Sequence, residues 1–243
     1  MRKIRIYQAG EYDIGQQIEL SSEAGQHVGV VLRMQPGESL TLFYGNNYEF
    51  NTEIVSVHKK KVIVKILSSQ EVNRESPCLI HLAQAISKGE RMEIVVQKAV
   101  ELGVASITPL ITEHCAVKVD SERFEKKRLQ WQAIAIAACE QSGRNKIPKI
   151  NSIISLQQYL RQPLPKLNVV LTPDATQNWK DLEQKKVPAI GLIIGPEGGL
   201  SAVELDYLIK QQFLPMSLGP RILRTETAAI VALSVLQAVC GDL

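Results

Sequence analysis

The hydrophobic rhythm of the chain changes about a third of the way along. Over the first ~70 residues, short runs of β-branched and aromatic residues recur with turn formers between them. The runs are Ile4–Tyr7, Val28–Leu32, Ser39–Tyr44, Tyr48–Val57 and Val62–Leu67; the breaks are Pro36-Gly37, Gly45-Asn46-Asn47 and Lys59-Lys60-Lys61. Leu40, Leu42 and Tyr44 alternate with polar or small residues, as a half-buried strand requires. Closely spaced strands of this kind predict a small β-barrel over residues 1–70. The polar stretch Ser68–Pro77 has no apolar pattern and ends in proline, so residues 71–77 read as a linker.

From residue 78 to 243 strand and helix patterns alternate. Leu79–Ala83, Ile107–Ile111, Val169–Leu171, Ile190–Ile194 and Met216–Leu218 read as strands. Met92, Val95, Val96, Ala99, Val100 and Leu102 form one helical stripe from Arg91, closed by Gly103. A long helix is expected over Arg123–Cys139, beginning after Asp120-Ser121. Ser201-Ala202-Val203-Glu204 is a capping box that opens a helix to Gln211, and Ala228–Cys240 is a last, apolar helix. Alternating β and α units imply an α/β domain with a mostly parallel, helix-covered sheet.

Composition narrows the classes without choosing among them. The 243 residues are 45% hydrophobic and 22% charged, as in a globular protein rather than a disordered one. A net charge of +3 excludes a histone-like wrapper but permits a nucleic-acid enzyme with a local basic face. The opening Met1-Arg2-Lys3-Ile4-Arg5 leads into polar sequence without a signal-peptide core, and Ala228–Cys240 is too short to span a membrane. The expected compartment is the cytoplasm, with no membrane partner. Four cysteines with no CxxC pair are expected to be reduced thiols. Glu113-His114-Cys115 has no second cluster beside it, so no metal is expected. HExxH, GxSxG and GxxxxGK[ST] do not occur.

Two loops carry candidate chemistry. Ile194-Gly195-Pro196-Glu197-Gly198-Gly199-Leu200-Ser201 lies between an apolar strand and a capped helix, where α/β proteins place ligands. Its glycines let backbone N–H groups approach a ligand closely, although a plain tight turn also explains one Gly-Gly pair. GxGxxG is absent, so it is not a dinucleotide fingerprint. The second loop, Leu218-Gly219-Pro220-Arg221-Ile222-Leu223-Arg224-Thr225-Glu226-Thr227-Ala228, puts two arginines, a glutamate and two threonines before an apolar helix. Thr225 or Thr227 is placed to cap that helix.

GPEGG followed by LGPRILRTETA before a terminal helix resembles the knotted SPOUT RNA methyltransferases, and among them the 16S rRNA uracil-N3 methyltransferase family. HVGVVLR (His27–Arg33), KGERMEIVVQKAVELGV (Lys88–Val104) and EQSGR (Glu140–Arg144) fit the same family in the same order. The departure is Glu113-His114-Cys115, where the family pattern has an arginine after the glutamate. The resemblance implies a PUA-like RNA-binding barrel and a SPOUT methyltransferase domain over residues 78–243. It also implies a trefoil knot within about 168–243 and a homodimer with the active site near its interface. S-adenosylmethionine is the implied cofactor. The implied reaction is methylation of N3 of one uridine, position 1498, in 16S rRNA on the small ribosomal subunit.

The residues are compatible with that chemistry. The strand-end loops give Leu171, Thr172, Gly195, Glu197, Gly198, Gly199, Met216, Leu218, Gly219, Ile222, Leu223, Thr225, Thr227 and Ala228 as the expected cofactor site. Removing the weakly acidic N3–H of uracil leaves charge toward O2 and O4, which Arg224 is placed to hold. Glu197 or Glu226 is placed to take the proton; alternatively Glu197 binds backbone amides and Glu226 stabilises the first helical turn. Arg123–Lys149 carries seven Lys/Arg against Glu125 and Glu140, a stripe compatible with phosphate binding or with a solvated helix face. Arg33, Lys88, Arg91, Arg144 and Arg221 are the expected RNA contacts. The last helix, apolar through Ala229, Ile230, Val231, Leu233, Val235, Leu236 and Val239, must be buried all round, which a dimer would provide. Two readings compete: a related methyltransferase acting on another nucleotide or a ribose, and an RNA-binding protein without catalysis.

Overall fold

A computed structural model describes residues 4–115, 121–177, 179–180, 182 and 187–243. The chain forms two compact units, Met1–Glu75 with Cys139–Ile147, and Ser76–Ala138 with Pro148–Leu243.

The first unit is a five-stranded sheet of β1 (Arg5–Tyr7), β2 (Gln17–Glu19), β3 (Ser39–Phe43), β4 (Tyr48–His58) and β5 (Lys61–Glu71), in the order β1-β3-β4-β5-β2. β1 runs parallel to β3 and the other pairs are antiparallel. The Gln8 side chain spans the two edges, donating to Glu19 O at 3.2 Å and accepting from Ser21 N–H at 2.7 Å. Leu42, Val62, Val64 and Ile66 are fully buried inside, beside the packed rings of Tyr12, Tyr44 and Phe50.

Two features here differ from the sequence pattern for identifiable reasons. Val28–Leu32 is not a strand: helix α1 (Ser22–Gln26), capped by Ser21, continues into a π-helical turn over His27–Val31. Gly25 and Gly29, one helical turn apart, lie against the Lys59-Lys60 turn. A Cβ at those positions would sit 2.0 Å from Lys60 O and 2.5 Å from Lys59 O. Close backbone packing therefore overrides the β-branched run.

The second difference concerns the boundary between units, which falls at Glu75/Ser76, with β5 extending through Glu71. Residues 139–147, far downstream, also belong to the first unit. Glu140 accepts from Tyr7 N–H at 2.9 Å, Arg74 donates to Gly143 O at 2.8 Å, and Asn145 donates to Val72 O at 2.8 Å. Arg144 is 4% exposed and holds Glu75 through both Nε and Nη2. The guanidinium of Arg144, an expected RNA contact, is thus held in an ion pair with Glu75 inside this unit.

The second unit is a parallel sheet of seven strands. It contains β6 (Leu79–Ala85), β7 (Ser106–Ile111), β8 (Lys149–Ile150), β9 (Ile154–Ser155), β10 (Leu167–Leu171), β11 (Ala189–Ile194) and β12 (Leu214–Met216). The order is β12-β10-β11-β6-β7-β8, with β9 also on β7. Chain order reverses at the β6/β11 pair, which marks the carboxyl edge nearby as a ligand crevice. β12 begins two residues before the expected Met216–Leu218; Pro215 is tolerated because β12 is the sheet edge. Helix α2 (Arg91–Glu101) buries Val95, Val96 and Ala99 and is followed by Gly103 at φ +77°, as its stripe predicts. Helix α3 (Ser121–Ser142) contains the expected long helix; Asp120, before it, lies outside the described residues. Short α4 (Leu156–Tyr159) is capped by Ser155, and α5 (Ala202–Lys210) starts on the Ser201/Glu204 capping box.

The last helix, α6 (Thr225–Cys240), begins three residues before the expected Ala228. It buries Thr225, Ala229, Ala232, Leu233, Leu236 and Gln237 but leaves Ile230, Val231, Val235 and Val239 half-buried, not enclosed all round. Gln237 fixes it, donating to Leu102 O at 2.9 Å and accepting from Ser76 Oγ at 2.7 Å. Among the described residues no helix is long and apolar enough to cross a membrane.

Candidate functional site

Parallel strands deliver their carboxyl ends to one edge, and the segments leaving β10, β11 and β12 enclose a cleft of about 890 Å³. Leu171–Asp174 forms one wall, Ile194–Leu200 the next, and Met216–Gly219 with Arg221–Thr225 the third; Arg91 of α2 closes a corner. Leu171, Ile194, Met216, Leu218 and Leu223 give it apolar surface, while the glycine loops contribute backbone polar groups.

The loop after β11 has little freedom. A Cβ on Gly195 would lie 3.0 Å from Leu200 N and 3.2 Å from Gly199 C, tighter than ordinary contact, so a side chain there presses on the backbone of the turn. A Cβ on Gly198 would meet His114 Cβ at 3.2 Å; His114 Nδ1 lies 3.1 Å from Gly199 O. Glu204 of α5 accepts from Ser201 N–H and from Glu113 N–H, tying this loop to the segment after β7. Thr225 Oγ1 donates to Gly195 O at 2.8 Å and accepts from Gln84 Nε2 at 3.0 Å. That bridge replaces the expected cap. Arg224 is the N-cap residue, without a side-chain capping bond, and Thr225 is turned inward as the first helical residue.

Of the expected cofactor residues, Leu171, Thr172, Gly195, Glu197, Gly198, Gly199, Met216, Leu218, Gly219, Ile222, Leu223, Thr225 and Ala228 all line the cleft. Thr227 does not; it is exposed on α6. Arg221 and Arg224 line the cleft and are exposed. Among the described residues Arg224 has no side-chain partner; Glu197 and Glu226 face Arg91 instead.

Arg91 Nη1 bonds Glu197 Oε1, and its Nε is 3.9 Å from Glu226 Oε2. The same Glu197 oxygen accepts from Lys88 N–H at 2.9 Å. Partial burial pushes the Glu197 carboxyl up, but its own amide, the Lys88 amide and Arg91 together hold it below the ordinary glutamate range. Glu226 lies outside the lining, with Oε2 buried and without a hydrogen bond among the described residues. Lys88 and Arg33 are exposed, Arg33 in the other unit at φ +54°. Sequence reasoning missed Asp174, an exposed carboxylate on the wall after β10. The strand-end rule that found Thr172 reaches two residues further.

Fold and cleft together define an RNA methyltransferase architecture. A family model described as an RNA methyltransferase domain matches residues 74–237, and one described as an RNA methyltransferase PUA domain matches residues 20–67. The chain belongs to the ribosomal RNA small subunit methyltransferase E family. It is 41% identical over 240 residues to that protein from Buchnera aphidicola, covering 98% of this chain and 97% of the relative. Against the Bacillus subtilis protein it is 32% identical, covering 89% and 88%. A Legionella pneumophila methyltransferase solved with bound SAM is 60% identical, TM-score 0.97, over all of both chains. A ribosomal RNA small subunit methyltransferase E from Neisseria gonorrhoeae, bound to S-adenosyl methionine, is 35% identical, TM-score 0.92, again over all of both.

Proposed function

We propose that this chain uses S-adenosylmethionine to methylate N3 of one uridine, position 1498, in 16S rRNA, on the assembled small subunit. The observation that carries the reading is the cleft itself. Three strand-end segments converge on it, Gly195 leaves little room for a side chain, and Arg224, without a side-chain partner among the described residues, stands in its wall. The residues fit the cofactor: the walls offer apolar contact for a nucleoside and backbone groups for its polar edges, in a cleft of suitable size. When bound, S-adenosylmethionine supplies an electrophilic methyl group, and in-line transfer requires no metal.

The protein's part is alignment and charge. The walls after β10, β11 and β12 hold the donor in one pose, which removes most of the entropic cost of bringing two reactants together. Arg224 stabilises negative charge on the uracil carbonyls as N3 loses its proton. Exposed Arg33, Lys88 and Arg221 contribute phosphate contacts, whose strength falls with salt. The proposed working state is a homodimer in the cytoplasm, with a C-terminal knot. The half-buried Ile230, Val231, Val235 and Val239 on α6 support the dimer, and sedimentation showing only a 27 kDa species at micromolar concentration would exclude it.

The test is transfer of labelled methyl from S-adenosylmethionine to small subunits, followed by nucleoside analysis. 3-Methyluridine is the expected product; a ribose-methylated or different base product favours the related-methyltransferase reading. No cofactor binding by calorimetry favours an RNA-binding protein without catalysis.

A further inference from the structure

Three separate elements meet at Arg91, the first residue of α2. The loop after β6 contributes the Lys88 amide, the loop after β11 contributes Glu197, and the first turn of α6 contributes Glu226. Both candidate proton acceptors therefore share one cation. Glu197 Oε1 receives two donors, Arg91 Nη1 and Lys88 N–H. Among the described residues Glu226 Oε2 receives none, and Arg91 Nε at 3.9 Å is a cation facing it.

The exposures decide what the cluster is for. The side chains of Arg91 and Glu197 are 39% and 33% exposed, and pairs so open to water add little to global stability. The local consequence is larger, because Glu197 sits inside the turn between Gly195 and Gly199 that forms a cleft wall. Fixing that one carboxylate fixes the wall. Two donors on Oε1 also make the carboxylate less basic, and so a poorer acceptor for the proton of a weakly acidic imide. Glu226 is not among the residues that line the cleft.

We propose that Arg91 is a positioning residue: it anchors Glu197, and with it the Gly195–Gly199 wall, against α2 and α6, and Glu197 serves as that anchor, not as the proton acceptor. This rests on the methyl-transfer reading above, and the two are separable by experiment. The full-length protein is compared with Arg91→Ala, Arg91→Lys and Glu197→Gln in three measurements. These are hydrogen exchange at the Lys88 amide without cofactor, cofactor KM and kcat on small subunits, and the pH profile of kcat.

Removing the anchor is expected to speed Lys88 exchange in Arg91→Ala and to raise cofactor KM about tenfold, with kcat lowered less than about threefold. Arg91→Lys recovers part of the KM loss, since an ammonium makes one of the two contacts. Glu197→Gln retains an oxygen acceptor for Lys88 and Arg91. It is expected to keep kcat within about tenfold of wild type and the same pH profile, because no general base has been lost.

A Glu197→Gln loss beyond about 10²-fold together with a missing limb of the pH profile would make Glu197 the proton acceptor and overturn the proposal. Unchanged Lys88 exchange and unchanged KM in Arg91→Ala would overturn it equally. Failure of the wild-type protein to transfer methyl would instead strike the functional reading, and Lys88 exchange would still decide whether Arg91 anchors the loop.

Discussion

Gly195→Ala tests the geometry of the cleft most sharply with one methyl group. The added Cβ would lie 3.0 Å from Leu200 N, 3.2 Å from Gly199 C and 3.3 Å from Gly199 Cα, against 3.4–4 Å for ordinary contact. All three are backbone atoms, so no side-chain rotation relieves the overlap; the turn itself must open by a few tenths of an ångström. Overpacking of this kind costs roughly 1–3 kcal/mol. Because the turn is also a cofactor wall, most of that strain should appear as weakened binding, roughly 5- to 150-fold at about 1.4 kcal/mol per tenfold. Calorimetric titration with S-adenosylmethionine, beside a thermal melt, reads both parts. Gly199→Ala is the contrast. Its φ of +70° is strained for alanine, but no described residue lies within 4 Å of the new methyl, so its effect on affinity should be smaller. Wild-type affinity and melting in Gly195→Ala would refute the described loop.

Three further outcomes are expected. Arg224→Ala should lower single-turnover methylation by roughly 10²–10³-fold with little change in cofactor affinity, and Arg224→Lys should recover only part; near-normal rates at saturating cofactor would remove Arg224 from catalysis. Arg144→Ala leaves the half-buried Glu75 without this partner and should cost about 1–3 kcal/mol in denaturant unfolding, whereas an RNA contact would show as a shallower salt dependence instead. Burial foremost raises the Glu140 carboxyl above the ordinary glutamate value, despite the Tyr7 amide. The folded protein therefore binds that proton more tightly than the unfolded chain, so Glu140's stabilising contribution is complete below the ordinary value and is lost as pH rises through the raised one. Glu140→Gln should accordingly melt higher than wild type at neutral pH and lose that advantage in acid; equal melting at both pH values would contradict the assignment.

The parts of the fold legible in the sequence are those specified locally. The Ser201/Glu204 capping box, the α2 stripe ended by Gly103, and the GPEGG turn after an apolar strand each write their geometry within a few residues. What was misread depends on partners distant in sequence. Val28–Val31 looks like a strand until Gly25 and Gly29 are seen lying on the Lys59-Lys60 turn. Arg144 looks like a phosphate ligand until Glu75 is found beside it, 69 residues earlier in the chain. Thr225 looks like a cap because it precedes an apolar run, yet its hydroxyl is taken by Gly195 and Gln84. The capping pattern Ser155-Leu156-Gln157-Gln158 was available for α4 and passes unnoticed only because the helix is a single turn. In the site, strand-end loops located all three walls of the cleft, but spacing alone could not show that Arg91 faces both glutamates.

The central claim, methylation of N3 on one uridine of 16S rRNA, is tested most directly by primer extension. Small subunits lacking the modification are treated with the purified protein and S-adenosylmethionine, and reverse transcriptase is run across the 16S rRNA. A methyl on N3 removes the Watson–Crick donor, so the account predicts one new, strong stop at a single uridine, dependent on cofactor and greatly weakened with Arg224→Ala. Uninterrupted extension despite methyl incorporation, or a stop at a nucleotide other than uridine, would contradict it.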